Sequence, residues 1–135
     1  MSILLDTGIV YAYYDRRDDW HRRARALVEA EGRGLVLPSP VIPEVDWLLG
    51  TRLGPRSQAT FYEGIVDGYY LVVDVPKPAY SRIAELSRQF SDLELGFVDA
   101  SVAVLAQVLG LKRIATTDRR HFETLAKALS LTIIP

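Results

Sequence analysis

The sequence predicts an α/β fold in three α/β/α layers, with a short parallel sheet between two sets of helices. Three observations predict it. Short apolar runs alternate with longer stretches of helical period, the pattern of successive strand-helix units. The first run, Ile3-Leu4-Leu5, is apolar at every position, as suits a strand covered on both faces. The chain has 135 residues, 49% of them hydrophobic, which is enough to bury one core, so residues 1–135 are expected to form a single domain.

The elements follow in order. After the opening strand, Thr7 is placed to cap a helix running to about Tyr14. A second helix is expected over 18–31, with Trp20, Ala24, Leu27 and Val28 on one face and Gly32 and Gly34 ending it. Leu35-Val36-Leu37 reads as the next strand, and Ser39 and Pro40 start a helix through about Arg52. Residues 56–67 read as a helix, 69–73 as a strand and 76–90 as a helix, followed by a polar loop over 91–96. Residues 97–109 form a helix that is apolar on nearly every side, hence central, and Gly110 ends it. A strand at 112–116, a helix over 119–130 and a last strand at 131–134 complete the chain. Crossovers between parallel strands should be right-handed. Function should gather at the carboxyl ends of the strands.

Composition excludes several chemistries. Cysteine is absent, which removes disulfides, thiolate catalysis and cysteine-ligated zinc. The two histidines, His21 and His121, cannot make a three-histidine metal site. Formal net charge is −1, so any anionic partner must be held by a local basic patch or a bound cation. The N-terminal run has no basic region before its apolar residues, and the apolar stretch near 100–111 is too short for a bilayer. No membrane association is expected, and a cytoplasmic location is.

Four acids stand out against this plan. Asp6 ends the first strand, Glu44 lies inside an apolar helical stripe, Asp99 opens the central helix, and Asp118 follows the run Ile114-Ala115-Thr116-Thr117. Taken singly, each has an ordinary explanation: Asp6 and Asp118 as helix caps, Glu44 and Asp99 as first-turn acids that complement a helix dipole. Glu44 turns inward if Val41 and Leu48 are core, and Asp46, between Ile42 and Leu49, is its rival because periodicity does not separate the two. Together, four acids at strand ends and helix starts suggest one acidic pocket at one sheet edge. Carboxylates crowded in a pocket repel one another, and a hard divalent cation relieves this. Oxygen ligands without cysteine favour Mg²⁺ or Mn²⁺ over zinc. Such ions polarise a phosphodiester and acidify a bound water, which points to metal-assisted phosphodiester hydrolysis.

The motifs also resemble a known family. They are Asp6-Thr7 at the end of a hydrophobic strand, Pro38-Ser39-Pro40-Val41-Ile42-Pro43-Glu44 leading into a helix, the run LGFVDASVAVLA at 95–106, and the run IATTDRRHF at 114–122. The last two, in this order, are the specific ones. Across almost the whole chain the sequence resembles the PIN-domain ribonucleases, of the small kind that serve as VapC toxins of VapBC toxin–antitoxin pairs. The resemblance implies a PIN-like fold and a Mg²⁺-dependent endoribonuclease in which Mn²⁺ can substitute. It implies that Asp6, Glu44, Asp99 and Asp118 form the acidic centre. Asp6 and Asp99 would be the core metal ligands, Asp118 would ligate directly or through water, and Glu44 would complete the cluster or orient the attacking water. Thr116 matches a small hydroxyl residue that hydrogen-bonds within the site. Some members carry a further acid just past the position of Asp118; Arg119 and Arg120 stand there instead, so a second fully ligated metal is not implied. The implied partners are RNA, a VapB-type antitoxin and a second copy of the chain in a homodimer.

Thr7, Arg119 and Arg120 flank the acids and are the candidate RNA contacts, whereas the arginines around the second helix read as a solvated face. Tyr11, Tyr13, Tyr14 and Trp20 read first as packing residues and second as base-stacking surfaces. Trp47 and Leu48, with Phe61 and Tyr62, are expected to make an apolar surface for a partner. The histidines read as structural or phosphate-facing. Two other functions compete. A non-catalytic metal- or peptide-binding module would keep the fold and use the acids for docking. A receiver-like domain would need an acid pair after the first strand and a late lysine, and an Asp-x-Asp phosphatase would need an acid where Gly8 stands; the sequence has none of these.

Overall fold

The computed structural model describes residues 2–135, and its elements alternate as the sequence predicts. Strand β1 (Ile3–Leu5) is followed by α1 (Thr7–Tyr14) and α2 (His21–Glu31). Strand β2 (Leu35–Pro38) is followed by α3 (Val41–Arg52) and α4 (Pro55–Val66). Strand β3 (Leu71–Val73) leads to α5 (Ala79–Gln89) and α6 (Phe97–Leu109). Strand β4 (Arg113–Ala115), α7 (Arg119–Leu129) and β5 (Thr132–Ile134) close the chain.

All five strands are parallel, in the order β3-β2-β1-β4-β5. Strand β1 is central, pairs with β2 on one side and β4 on the other, and is buried at every residue. That burial is why Ile3-Leu4-Leu5 carries no polar alternation. The chain winds outward from β1 to β3, then crosses back to β4 and continues to β5. Right-handed crossovers send connections of opposite travel to opposite faces. Accordingly α1 packs on α2 and α3 and α3 on α4, while α5 packs on α6 and α6 on α7. The winding reverses between β1 and β4, which opens a crevice beyond their carboxyl ends.

Two helices begin later than expected, each after a local turn. Helix α2 begins at His21 because Asp18 is committed to a turn, its carboxylate accepting from the Trp20 N–H at 2.8 Å. Helix α5 begins at Ala79 after a turn, in which the Ala79 N–H donates to the Pro76 carbonyl at 2.9 Å and the Tyr80 N–H to the Lys77 carbonyl at 3.1 Å. Helix α6 matches its expected span, and Ala100 to Ala106 are all buried. Helix α3 faces the core through Val41, Val45 and Leu49, so the inward stripe passes one residue beside Glu44 and Leu48. Phe61 is wholly buried and belongs to the core, which removes it from the expected apolar surface. Trp47 on α3 is 65% exposed, Tyr62 on α4 is exposed and Leu48 is half-buried. No helix among the described residues is long and apolar enough to cross a membrane.

Candidate active site

Asp6 and Thr116 are set by the sheet. The β1–β4 pairing continues one step past Leu5, where the Asp6 N–H donates to the Ala115 carbonyl at 2.9 Å. Both side chains then lie at the carboxyl edge of adjacent central strands. Asp6 holds the N-cap position of α1, yet its side chain makes no capping bond. Its Oδ2 instead accepts from the Thr116 hydroxyl at 2.8 Å, and both residues are buried, Asp6 to 5% exposure. The Thr116 Oγ1 in turn accepts from the Asp118 N–H at 2.9 Å, which fixes the turn from β4 into α7.

Asp118 does cap α7: its Oδ1 accepts from the His121 N–H at 3.2 Å. The cap is only part of its role, because its Oδ2 lies 2.6 Å from the His121 Nδ1. Asp99, in the first turn of α6, approaches the same ring nitrogen at 3.3 Å. On the far side of the ring, Nε2 donates to the Leu93 carbonyl at 2.8 Å, at the end of a 3₁₀ turn (Ser91–Leu93) that occupies the first half of the expected loop. Asp99, Asp118 and His121 thus present ligand atoms within 4.8 Å of one another. Asp6 sits deeper, with Asp99 and Asp118 as its charged neighbours.

Glu44 comes from the exposed side of α3, and its Oε1 accepts from the Thr7 hydroxyl at 2.6 Å. Its charge reaches Asp99, so it borders the cluster. The rival Asp46 is turned toward α4, where Gln58 and Tyr62 donate to its carboxylate. Of the expected site residues, the structure therefore gathers Asp6, Asp99, Asp118 and Thr116, with Glu44 and Thr7 at the rim. Arg120 is exposed, while Arg119 turns to Glu123 at 3.5 Å and to the Pro135 carbonyl. Tyr11 is buried with its hydroxyl on Asp15, and Tyr14 shares a hydrogen bond with Tyr70 at 2.7 Å, so both serve packing. His21 is structural, its Nδ1 bonded to the Ala12 carbonyl at 2.8 Å.

His121 is the member that composition and spacing leave outside the acidic centre. One signal in the sequence does point to it. It stands three residues after Asp118 at a helix start, which puts both side chains on one face.

The electrostatics match crowded anions. Burial pushes the Asp6 carboxyl up to about 7, the Thr116 hydrogen bond opposes this, and the charges of Asp99 and Asp118 add to it. Asp99 rises to about 6, first through burial and then through Asp118, with His121 opposing. The His121 ring is raised, chiefly by its bond to Asp118. Three carboxyls crowded together, with His121 as the one basic side chain among them, hold their protons more tightly than free carboxyls do. The donor set is oxygen-rich, includes one imidazole and contains no sulfur. Such a set fits a hard or borderline divalent cation.

Known proteins carry the same arrangement of elements. The family model of the PIN domain matches residues 3–128. The chain belongs to the PIN domain family. Among relatives of this PIN chain, ribonuclease VapC26 of Mycobacterium tuberculosis is 26% identical over 123 residues, covering 91% of each chain. Among solved structures, the crystal structure of M. tuberculosis VapC20, a sarcin-ricin loop cleaving toxin, superposes with a TM-score of 0.77 at 22% identity, covering 84% of this chain and 87% of that one. A chain of a toxin–antitoxin complex from Klebsiella pneumoniae gives a TM-score of 0.72 at 18% identity, with 90% of each chain covered. These likenesses establish that the five-stranded parallel sheet with its flanking helices is the PIN fold.

Proposed function

We propose that this PIN chain is a metal-dependent endoribonuclease acting as the toxin of a type II toxin–antitoxin pair. The observation that carries it is the convergence of buried Asp6 with Asp99 and Asp118 at the switch point of a PIN fold. The likeness to a named ribonuclease over 91% of both chains supports the reaction class.

A divalent cation held by these carboxylates would neutralise charge on a phosphodiester and acidify an attacking water. Mg²⁺ is the proposed ion, with Mn²⁺ as substitute. Asp99 and Asp118 would hold it, and Asp6 would ligate or support it from below. Thr116 keeps the Asp6 carboxylate pointed at the centre through its hydroxyl. Glu44 stands at the solvent side, oriented by Thr7, where a carboxylate suits holding and deprotonating a water. No side chain is required as nucleophile, so no covalent intermediate forms. Arg120, exposed in the first turn of α7, would meet RNA phosphates beside the centre.

The proposed partners are RNA, a VapB-type antitoxin and a second copy of the chain. The relative from K. pneumoniae was solved in a toxin–antitoxin complex, which supports the antitoxin. A recess lined by Thr7, Pro43, Glu44, Trp47 and Leu48 runs from the acidic rim onto exposed aromatic surface. It suits an apolar segment with a basic residue directed at the carboxylates. The proposed place of action is the cytoplasm.

The test is cleavage of total RNA by the wild type and by Asp99→Asn, each with Mg²⁺, Mn²⁺ or EDTA. Wild type should cut only with metal, and Asp99→Asn should lose at least about a hundredfold in rate while keeping its circular dichroism spectrum. Cleavage in EDTA, or an undiminished Asp99→Asn, would refute the reading.

A further inference from the structure

We infer that His121 is itself a metal ligand, its Nδ1 completing with Asp99 and Asp118 a mixed nitrogen–oxygen donor set. The ring is held on three sides by three different segments. A carbonyl can only accept, so Leu93 fixes the hydrogen on Nε2. The other nitrogen faces Asp118 Oδ2 at 2.6 Å and Asp99 Oδ2 at 3.3 Å; in the metal-free protein it donates its hydrogen to Asp118, and it must release that proton for a cation to take its place. An imidazole whose far nitrogen donates to a backbone carbonyl, and whose near nitrogen faces carboxylates, has the orientation of a metal-ligating histidine. Capping alone does not account for it. The cap of α7 uses the His121 backbone N–H on Asp118 Oδ1, and it needs neither the ring nor Asp99 nor Leu93.

The inference rests on the metal-dependent reading of the same centre and adds a selectivity to it. Mg²⁺ demands oxygen ligands and keeps its waters, whereas imidazole suits transition metals. A centre that includes His121 should therefore bind Mn²⁺ more tightly than it binds the proposed working ion, Mg²⁺, and that difference in affinity should reside in His121.

Mn²⁺ is the probe, because its electron spin reports directly on bound nitrogen. Wild type loaded with Mn²⁺ should show ¹⁴N modulation in its spin-echo decay, and His121→Gln should lose it. The Mn²⁺ Kd should weaken about tenfold or more in that variant, and the Mg²⁺ Kd by less, so the preference shrinks. The chain has two histidines, so His21→Gln provides a second route if His121→Gln fails to fold. There, retained modulation assigns the nitrogen to His121, and lost modulation overturns the inference. Bound Mn²⁺ without ¹⁴N coupling in wild type, or coupling that survives in His121→Gln, overturns it while leaving the metal-dependent nuclease standing. Wild type that binds no Mn²⁺ overturns both.

Discussion

At Asp6 the folded chain holds a carboxyl that the unfolded chain would ionise at ordinary pH. Its pKa is raised from 3.8 to about 7, so between these values the fold binds a proton that the unfolded chain releases. Stability of the metal-free protein must then fall as pH rises from about 4 to about 7. About three units at 1.36 kcal/mol each make this on the order of 4 kcal/mol from Asp6. Asp99, raised to about 6, works in the same sense. His121, raised as well, contributes stability below its unfolded value that is lost as pH climbs through its folded one, again the same sense. Asp6→Asn keeps an acceptor for Thr116 and removes the ionisation. Metal-free Asp6→Asn should match wild type near pH 4 and melt several degrees higher at pH 8, with a shallower pH slope. An unchanged slope by calorimetry would contradict the buried-carboxyl account. Thr116→Val tests the opposite side of the contact. It leaves Asp6 Oδ2 buried without its donor, so it should cost about 1–3 kcal/mol in urea unfolding at pH 7. Residue identity made these acids visible in the sequence. Their partners were not, because a capping aspartate and one bonded across 110 residues of chain look alike in one dimension.

Helices α1 and α7 reach the site by a close approach that only a missing side chain permits. A Cβ at Gly8, the second residue of α1, would lie 2.1 Å from the Thr117 Oγ1 in the turn before α7. Gly8 lies two residues after Asp6 and Thr117 directly before Asp118, so the glycine that argues against an Asp-x-Asp phosphatase leaves room for a close approach beside the centre. Gly8→Ala should push the turn outward, destabilise by about 1–3 kcal/mol, and weaken Mn²⁺ binding. Thr117→Ala removes the clashing oxygen, so the double variant should recover most of both losses. Additive losses in the double-mutant cycle would rule out the contact as the cause. Element type and order were legible because hydrophobic period distinguishes buried strands from helices. Orientation within an element was less so. The α3 pattern admits two stripes one residue apart, and packing against α1 selects Val41, Val45 and Leu49. Glu44 therefore reaches the centre from its rim, through Thr7, rather than from a core-facing stripe.

Across the whole molecule, the acidic cluster and a mostly buried ion pair occupy opposite ends of the sheet. The acids gather beyond the carboxyl ends of β1 and β4, a position set by the strand order. That order was not legible in the sequence, because right-handed crossovers fix which face a helix covers and not which strands become neighbours. Nothing in the local sequence indicates what braces the other end. There Arg113, the first residue of β4, makes a two-pronged ion pair with Glu31 at the end of α2, joining segments 82 residues apart. Both side chains are mostly buried, and among the described residues the Arg113 Nε is buried with no hydrogen-bond partner. Such a pair contributes little over an apolar replacement, but removing one partner strands the other charge. Glu31→Gln should thus destabilise by about 2–4 kcal/mol, since a guanidinium already short of one acceptor loses its carboxylate. Arg113→Met with Glu31→Leu should recover much of this, because neither charge is left behind. The metal affinity and RNA-cleavage rate of every folded variant in this set should stay at the wild-type level, as the pair lies a strand length from Asp6 and Asp118. A matching loss of Mn²⁺ affinity in Glu31→Gln, measured well below its melting temperature, would mean that the two ends of the sheet are coupled.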